Sequence, residues 1–376
     1  MKKFLFALLF VFAYSTHQIS AQNQFCGPSP FLNGDKLIVP AVVVAPTPQF
    51  ALSYKPSASA NGPTWKESYG NDFSLKYAGH TMQFKKMNAN EVKLVYVSGC
   101  DGDDEIELPS TVNEGGKVYK VTYLGTGSLR SIGSKAVVTY PQYLHTICSG
   151  AFLRCYFRKF EIPSSVKCIE ANAFRDCKYL EKLYIHASVK SIGYCPVSYD
   201  DTFDNGNFKA INVDTANPNY KSVDGVLYNK SMTELIQVPY GYEKETFTIP
   251  STVVSINREA FRFCRFILDV IIPSSVRYIY HSAFRDAYLR SMFLPSSVIE
   301  IGERAFGGNK FDCHNINAIY VMSPTPPKAP NNVFCVVSSF CYDPIIYVGK
   351  GHRSAFLSTE PWSSVSKVKE VEFVVK

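Results

Sequence analysis

Cys148 stands three residues after His145, and a thiol near an imidazole is the minimum for nucleophilic catalysis. Cys148 directly follows Ile147, however, whose spacing marks it as core, so a structural thiol is expected. Two acidic clusters could supply oxygen ligands to calcium: Asp101, Asp103, Asp104 and Glu105, and Asp200, Asp201 and Asp204. Neither has the alternating ligands, fixed glycine and terminal glutamate of an EF-hand loop, and solvated turns are expected instead. The seven histidines are scattered; His186 takes the place of a strand-ending proline and His281 falls in a turn. The chain contains no H-E-x-x-H, G-x-S-x-G or P-loop pattern. No enzyme activity, metal site or cofactor is expected.

Any functional surface must then be built by the elements that repeat. An Ala-Phe pair recurs at 151–152, 173–174, 260–261, 283–284 and 305–306, in steps of about 22 residues apart from a gap of 87, close to four periods, between Phe174 and Phe261. In phase with it runs an apolar phrase ending in Pro: Ile162-Pro163-Ser164-Ser165-Val166, then Ile249-Pro250, Ile272-Pro273 and Leu294-Pro295 in the same setting. An Ile precedes the Phe by five residues in every full copy: Ile147, Ile169, Ile256, Ile279 and Ile301. Equal offsets stack equal residues. One such unit cannot bury both its faces, so neighbours must do it, which predicts a solenoid. Pro ends each strand because it has no ladder N–H, and the serines suit a turn by bonding local backbone. The copy at Ser191-Ile192-Gly193 lacks its Phe until Phe203, which predicts an outward bulge over 194–201. Residues 208–249 change form, with a hairpin expected around Asp224-Gly225.

The repeat phase reassigns other residues. Cys155, Cys177 and Cys264 each lie three residues after a Phe, which favours a ladder of inward thiols over disulfides. Of the eleven cysteines, Cys335 and Cys341 are the pair most suited to a bridge. Arg175, Arg262 and Arg285 directly follow a Phe and form a candidate basic stripe for acidic protein segments or sulfated glycans; the alternative is a solvated edge paired with Asp176 and Asp286. Strand alternation sends Glu161, Tyr184, Ile271 and Phe293 outward as a candidate binding face, unless the C-terminal cap covers it.

The organisation expected is a signal peptide at 1–21, a Pro- and Ser-rich arm or linker at 22–70, an N-terminal β cap at 71–124, the solenoid at 125–348 and a C-terminal cap at 349–376. Lys2 and Lys3, the apolar run Phe4 to Ala13 and the small residues at Ser20-Ala21 carry the leader assignment. No apolar run is long enough for a transmembrane segment. The formal charge of +7, less the two leader lysines, is mild for 376 residues and argues against a nucleic-acid partner.

The phrases I-P-S-S-V and Ile301-Gly302-Glu303-Arg304-Ala305-Phe306, with Cys three residues after Phe, resemble the BspA-like leucine-rich-repeat family of bacterial surface proteins. The block from Val213 to Tyr228 looks like its irregular repeat, and Tyr347-Val348-Gly349-Lys350-Gly351 with Trp362 looks like its C-terminal cap. The resemblance implies a leucine-rich-repeat solenoid with short inner β-strands and with turns, 3-10 or short helical outer segments. It also implies export to the cell surface and adhesion to a host or bacterial macromolecule. The partner expected is a protein, such as a host matrix protein, or a glycan; the alternative role is a carbohydrate-binding component of an envelope glycan-uptake system.

Overall fold

A computed structural model describes residues 32–33, 36–39, 72–100, 102, 105–199, 207–307, 316–337, 340–341 and 344–375. The expected leader at 1–21, Phe203 and the aspartates of both acidic clusters lie outside these residues. The chain divides into two compact units: Gln49–Tyr242 with Asn257–Ala260, hereafter the first unit, and Met1–Pro48, Glu243–Ile256 and Phe261–Lys376, the second.

Both units are β-solenoids built from the same rung. A short strand such as Lys159–Glu161 pairs in parallel with its equivalent in the next rung, Lys182–Ile185, with Phe160 opposite Leu183. The following proline opens a tight turn: the Val166 N–H donates to the Pro163 carbonyl at 2.9 Å, as Val276 does to Pro273 and Val298 to Pro295. His186 does the same work for Val189, at 3.2 Å. The second serine of the phrase has a wider role than its own turn. Ser188 and Ser297 each donate a hydroxyl to the valine carbonyl of the preceding rung, Val166 and Val276, at 2.8 Å.

The return path carries a second ladder. Thr146–Ile147, Cys168–Ile169 and Ser191–Ile192 pair in parallel in the first unit, and Ser255–Ile256, Tyr278–Ile279 and Glu300–Ile301 in the second. Two left-handed residues then bracket the Phe. Asn172 (φ 58°) and Asp176 (φ 58°) flank Phe174 at two residues on either side, as Ser282 (φ 54°) and Asp286 (φ 57°) flank Phe284. Paired reversals of this kind turn the chain sharply without a helix and drive the Phe inward. The rings accordingly form a spine: Phe152 to Phe174 at 5.1 Å in the first unit, and Phe261, Phe284, Phe306 and Phe334 at 4.7, 6.1 and 6.0 Å in the second.

This geometry corrects the bulge expected over 194–201 for its described residues, 194–199. The Phe174 N–H donates to the Pro196 carbonyl as Phe152 does to Ala173, so Val197 fills the Phe position, and it is fully buried. Cys195 supplies the left-handed residue two places before it (φ 44°). Residues 191–199 are a regular rung, because the position requires an apolar group facing inward and not a Phe as such. By the same ladder Leu129 fills it one rung earlier, donating to the Ala151 carbonyl. Val238, which donates to Ala260, fills it after the hairpin. That hairpin pairs Tyr220–Val223 with Val226–Asn229 around Asp224-Gly225, both at positive φ.

The first unit begins with the antiparallel strands Phe73–Tyr77, His80–Lys86 and Glu91–Val97, the last joined in parallel to Lys117–Leu124. The second unit closes with a helix at Arg353–Leu357 and a 3-10 turn at Trp362–Ser364, whose Phe356 and Trp362 are fully buried. Trp362 packs edge-on to Phe334 at 5.7 Å and so ends the aromatic spine. Among the described residues no helix is long and apolar enough to cross a membrane.

Candidate functional site

Cys155, Cys177 and Cys264 are buried thiols in no disulfide. Each follows the left-handed residue that turns the chain back toward the core, where only a small side chain fits. The Cys155 thiol donates to the Leu129 carbonyl at 3.0 Å, and the Cys177 thiol to the Phe152 carbonyl at 2.9 Å. Each sulfur thus bonds the Phe-position residue of the preceding rung. Burial pushes the Cys177 and Cys264 thiols well above the ordinary range, so both stay protonated. Cys148 is buried too, while the His145 ring meets the Thr146 hydroxyl at 2.8 Å and lies 3.8 Å from a Glu91 carboxylate oxygen. Cys335 and Cys341 are opposite in backbone register on the antiparallel strands Cys335–Val337 and Phe340–Cys341.

The arginines lie back on the protein. Arg175 sits in the first unit with its Nε 3.7 Å from the Asp176 carboxylate, which Arg154 approaches from the preceding rung at 3.9 Å. In the second unit, the Arg285 Nε is 3.3 Å from Asp286, and Arg262 caps the ring of Phe263 at 4.8 Å. Asp176 and Asp286 are both buried, and the guanidinium groups beside them offset their desolvation. The pairing with Asp176 and Asp286 is therefore present. Arg262 differs, because Phe263 occupies the aspartate position.

The outward strand face divides sharply between the units. In the first, Glu161, Tyr184 and Asn212 stand in one register across Lys159–Glu161, Lys182–Ile185 and Ala210–Val213. Glu161 is exposed and Tyr184 is 38 % exposed. With Ile185, His186, Val213 and Asp214 they line an open cleft of about 270 Å³. The wall at Asp214 is fixed by Asn217, which is fully buried. Its amide donates to the carbonyls of His186 and Val189 at 3.0 and 3.1 Å, and its oxygen accepts the N–H groups of Asn219 and Tyr220, both at 2.9 Å. Beside the same strands Tyr156 and Tyr179 stack at 5.7 Å with 46 % and 47 % exposure.

In the second unit, Ile271 is half-buried and Phe293 only 1 % exposed. The expectation that Phe293 offers a binding surface is corrected: Leu37, Val39 and Val371 pack into one cluster with it, Ala318 and Tyr320. Of the four face residues, only Glu161 and Tyr184 line the cleft. Asn212, Asp214 and His186 complete it from positions where the repeat pattern breaks or is substituted, and only the exposed-side register of Asn212 with Tyr184 signals them in advance.

A model of the BspA type leucine-rich repeat region matches residues 118–231 and 240–334, in six copies. The chain belongs to this family. Among solved structures, a leucine-rich repeat protein from Eubacterium ventriosum is 19 % identical with a TM-score of 0.50, covering 78 % of this chain and 84 % of its own. The pneumococcal vaccine antigen PcpA is 17 % identical with a TM-score of 0.46, covering 81 % and 98 %. A leucine-rich repeat protein from Bacteroides ovatus is 18 % identical with a TM-score of 0.44, covering 81 % and 79 %. A search of curated proteins finds no match. The repeat family and the β-solenoid describe a protein built to bind through its repeats.

Proposed function

We propose that this protein is exported to the cell surface and binds a host or bacterial protein through the open strand face of its first unit, without a chemical step. The observation that carries the reading is the setting of Tyr184. It is an exposed aromatic beside Glu161, Asn212 and Asp214 in a cleft that the chain leaves open, and a half-exposed tyrosine with polar neighbours is a frequent centre of protein interfaces. Export rests on the leader at 1–21. The test is binding of the chain to immobilised matrix and surface proteins, with Tyr184→Ala and Asp214→Ala beside it. A Tyr184→Ala variant that loses at least about tenfold in affinity supports the face. Unchanged binding by both variants sinks it.

The second reading is a carbohydrate-binding role in envelope glycan uptake. It is favoured by the same cleft's composition, carboxylate and amide groups around one aromatic ring, which suits hydroxyl-rich ligands. A glycan array that responds where the protein panel is silent would select it.

A further inference from the structure

The second unit carries an apolar counterpart of the open face. Ile271, Phe293, Tyr320 and Tyr347 stand in one register on successive parallel strands. The last three rings stack at 5.1 and 4.8 Å. What covers them comes from two distant parts of the chain. Val368–Val375 pairs with Ile345–Gly349 only through its first half, Val368 to Val371. Its second half, from Glu372 to Val375, runs on and pairs in parallel with Lys36–Val39. Leu37 and Val39, alternate residues and so on one side of their strand, are fully buried in a cluster with Phe293 and Tyr320. Lys36 is exposed and lies directly opposite Glu372.

The covering strand is held on one side by Glu372–Val375 and on the other by the two-residue strand Leu32–Asn33. Four residues with so short an outer neighbour make a weak edge. The contacts it makes are those of strand addition: a main-chain ladder for affinity and alternate side-chain pockets for specificity. We infer that this groove is a β-strand acceptor, filled in cis by Lys36–Val39. It takes an extended protein segment in which a basic residue is followed by branched apolar residues at alternate positions, parallel to Glu372–Val375.

The test uses the full chain bearing Leu37→Asp and Val39→Asp, with a dye-labelled peptide spanning residues 32–41. The variant should bind the peptide saturably, at least about tenfold more tightly than the wild type, whose groove is filled by its own strand at high effective concentration. A peptide carrying the same two aspartates should not bind. Equal binding by variant and wild type, or none by either, overturns the proposal. Should the variant fail to fold, hydrogen exchange on the wild type decides. Amides of Leu37 to Val39 that open at least tenfold faster than those of Ile346 to Val348 support a separable strand, and equal protection refutes it. A concentration-dependent wild-type dimer with the strand exchanged would identify the partner as a second copy.

Discussion

Phe284 offers the most direct test of the rung. Its ring is 1 % exposed and sits between Phe261 at 4.7 Å and Phe306 at 6.1 Å. Phe284→Ala removes a buried aromatic and leaves both neighbours facing a cavity. Large-to-small changes of this kind cost about 3–5 kcal/mol, and each lost ring pair adds about 0.5–1.5 kcal/mol within that range. With a urea slope of about 3 kcal/mol per molar, the midpoint of the second unit should fall by about 1–1.7 M. Phe284→Leu should cost less, about 1–3 kcal/mol for the two lost ring pairs, because an apolar side chain still fills the position, as Leu129 does natively in the first unit. The assay is urea unfolding followed by circular dichroism, with hydrogen exchange read on peptides covering Ile279 to Phe306. Because rungs couple mainly to their neighbours, protection should collapse there before it does in the first unit. A Phe284→Ala cost below about 1 kcal/mol, comparable to Tyr179→Ala on the exposed surface, would refute the spine as the source of stability.

The thiol ladder predicts that Cys155, Cys177 and Cys264 resist an aqueous thiol reagent in the native chain and react fully in denaturant. Burial raises the folded pKa of Cys177 and Cys264, so the stability tied to these two thiols holds below the unfolded thiol value of about 8.5 and falls above it, by about 1.4 kcal/mol per thiol per pH unit; urea midpoints at pH 7.5 and 9.5 measure this. Gly193→Ala and Gly302→Ala should each destabilise by about 1–3 kcal/mol in urea titration. Their new Cβ atoms would lie 2.2 Å from the Ala171 nitrogen and 2.5 Å from the His281 nitrogen, backbone that cannot step aside cheaply. Asn217→Ala strips partners from four backbone groups and should cost about 3 kcal/mol or more, with weakened ligand binding at the cleft as the second measurement.

Much of the rung was legible because its determinants are local. The five-residue offset from Ile to Phe, the turn at Pro and the thiol three places after Phe each depend on one segment and its copy. The same locality made Asp224-Gly225 readable as a hairpin turn. Val197 was missed because a search keyed on Phe overlooks a smaller apolar residue doing the same work, whereas the hydrogen-bond ladder that fixes the position is blind to side-chain identity. The burial of Phe293 stood open between an exposed face and cover by the C-terminal cap, because what decides it is not local. It depends on Leu37 and Val39, more than 250 residues away, and on Val368–Val375 running past its neighbour, and no periodicity encodes such a contact. The cleft was half legible: Glu161 and Tyr184 follow from strand alternation, while Asp214 follows from a loop whose path Asn217 sets.

That division bears on where binding is built. A regular rung spends its polar groups on its neighbours: serine on valine carbonyl, thiol on phenylalanine carbonyl, aspartate on arginine. Little is left over to recognise anything else. Where the repeat breaks at Val213 to Tyr220, the loop is no longer dictated by the rung above and below, and a side chain must hold it. Asn217 does so with four hydrogen bonds from a buried position, which leaves Asp214 and Asn212 on a fixed support beside Tyr184. A wall held this way loses little freedom on binding, so contacts made to it are not offset by ordering a loop. The second unit reaches a different solution to its own exposed face. It is covered by an edge strand, and the covering strand is the element that must move before the aromatic row can meet a partner.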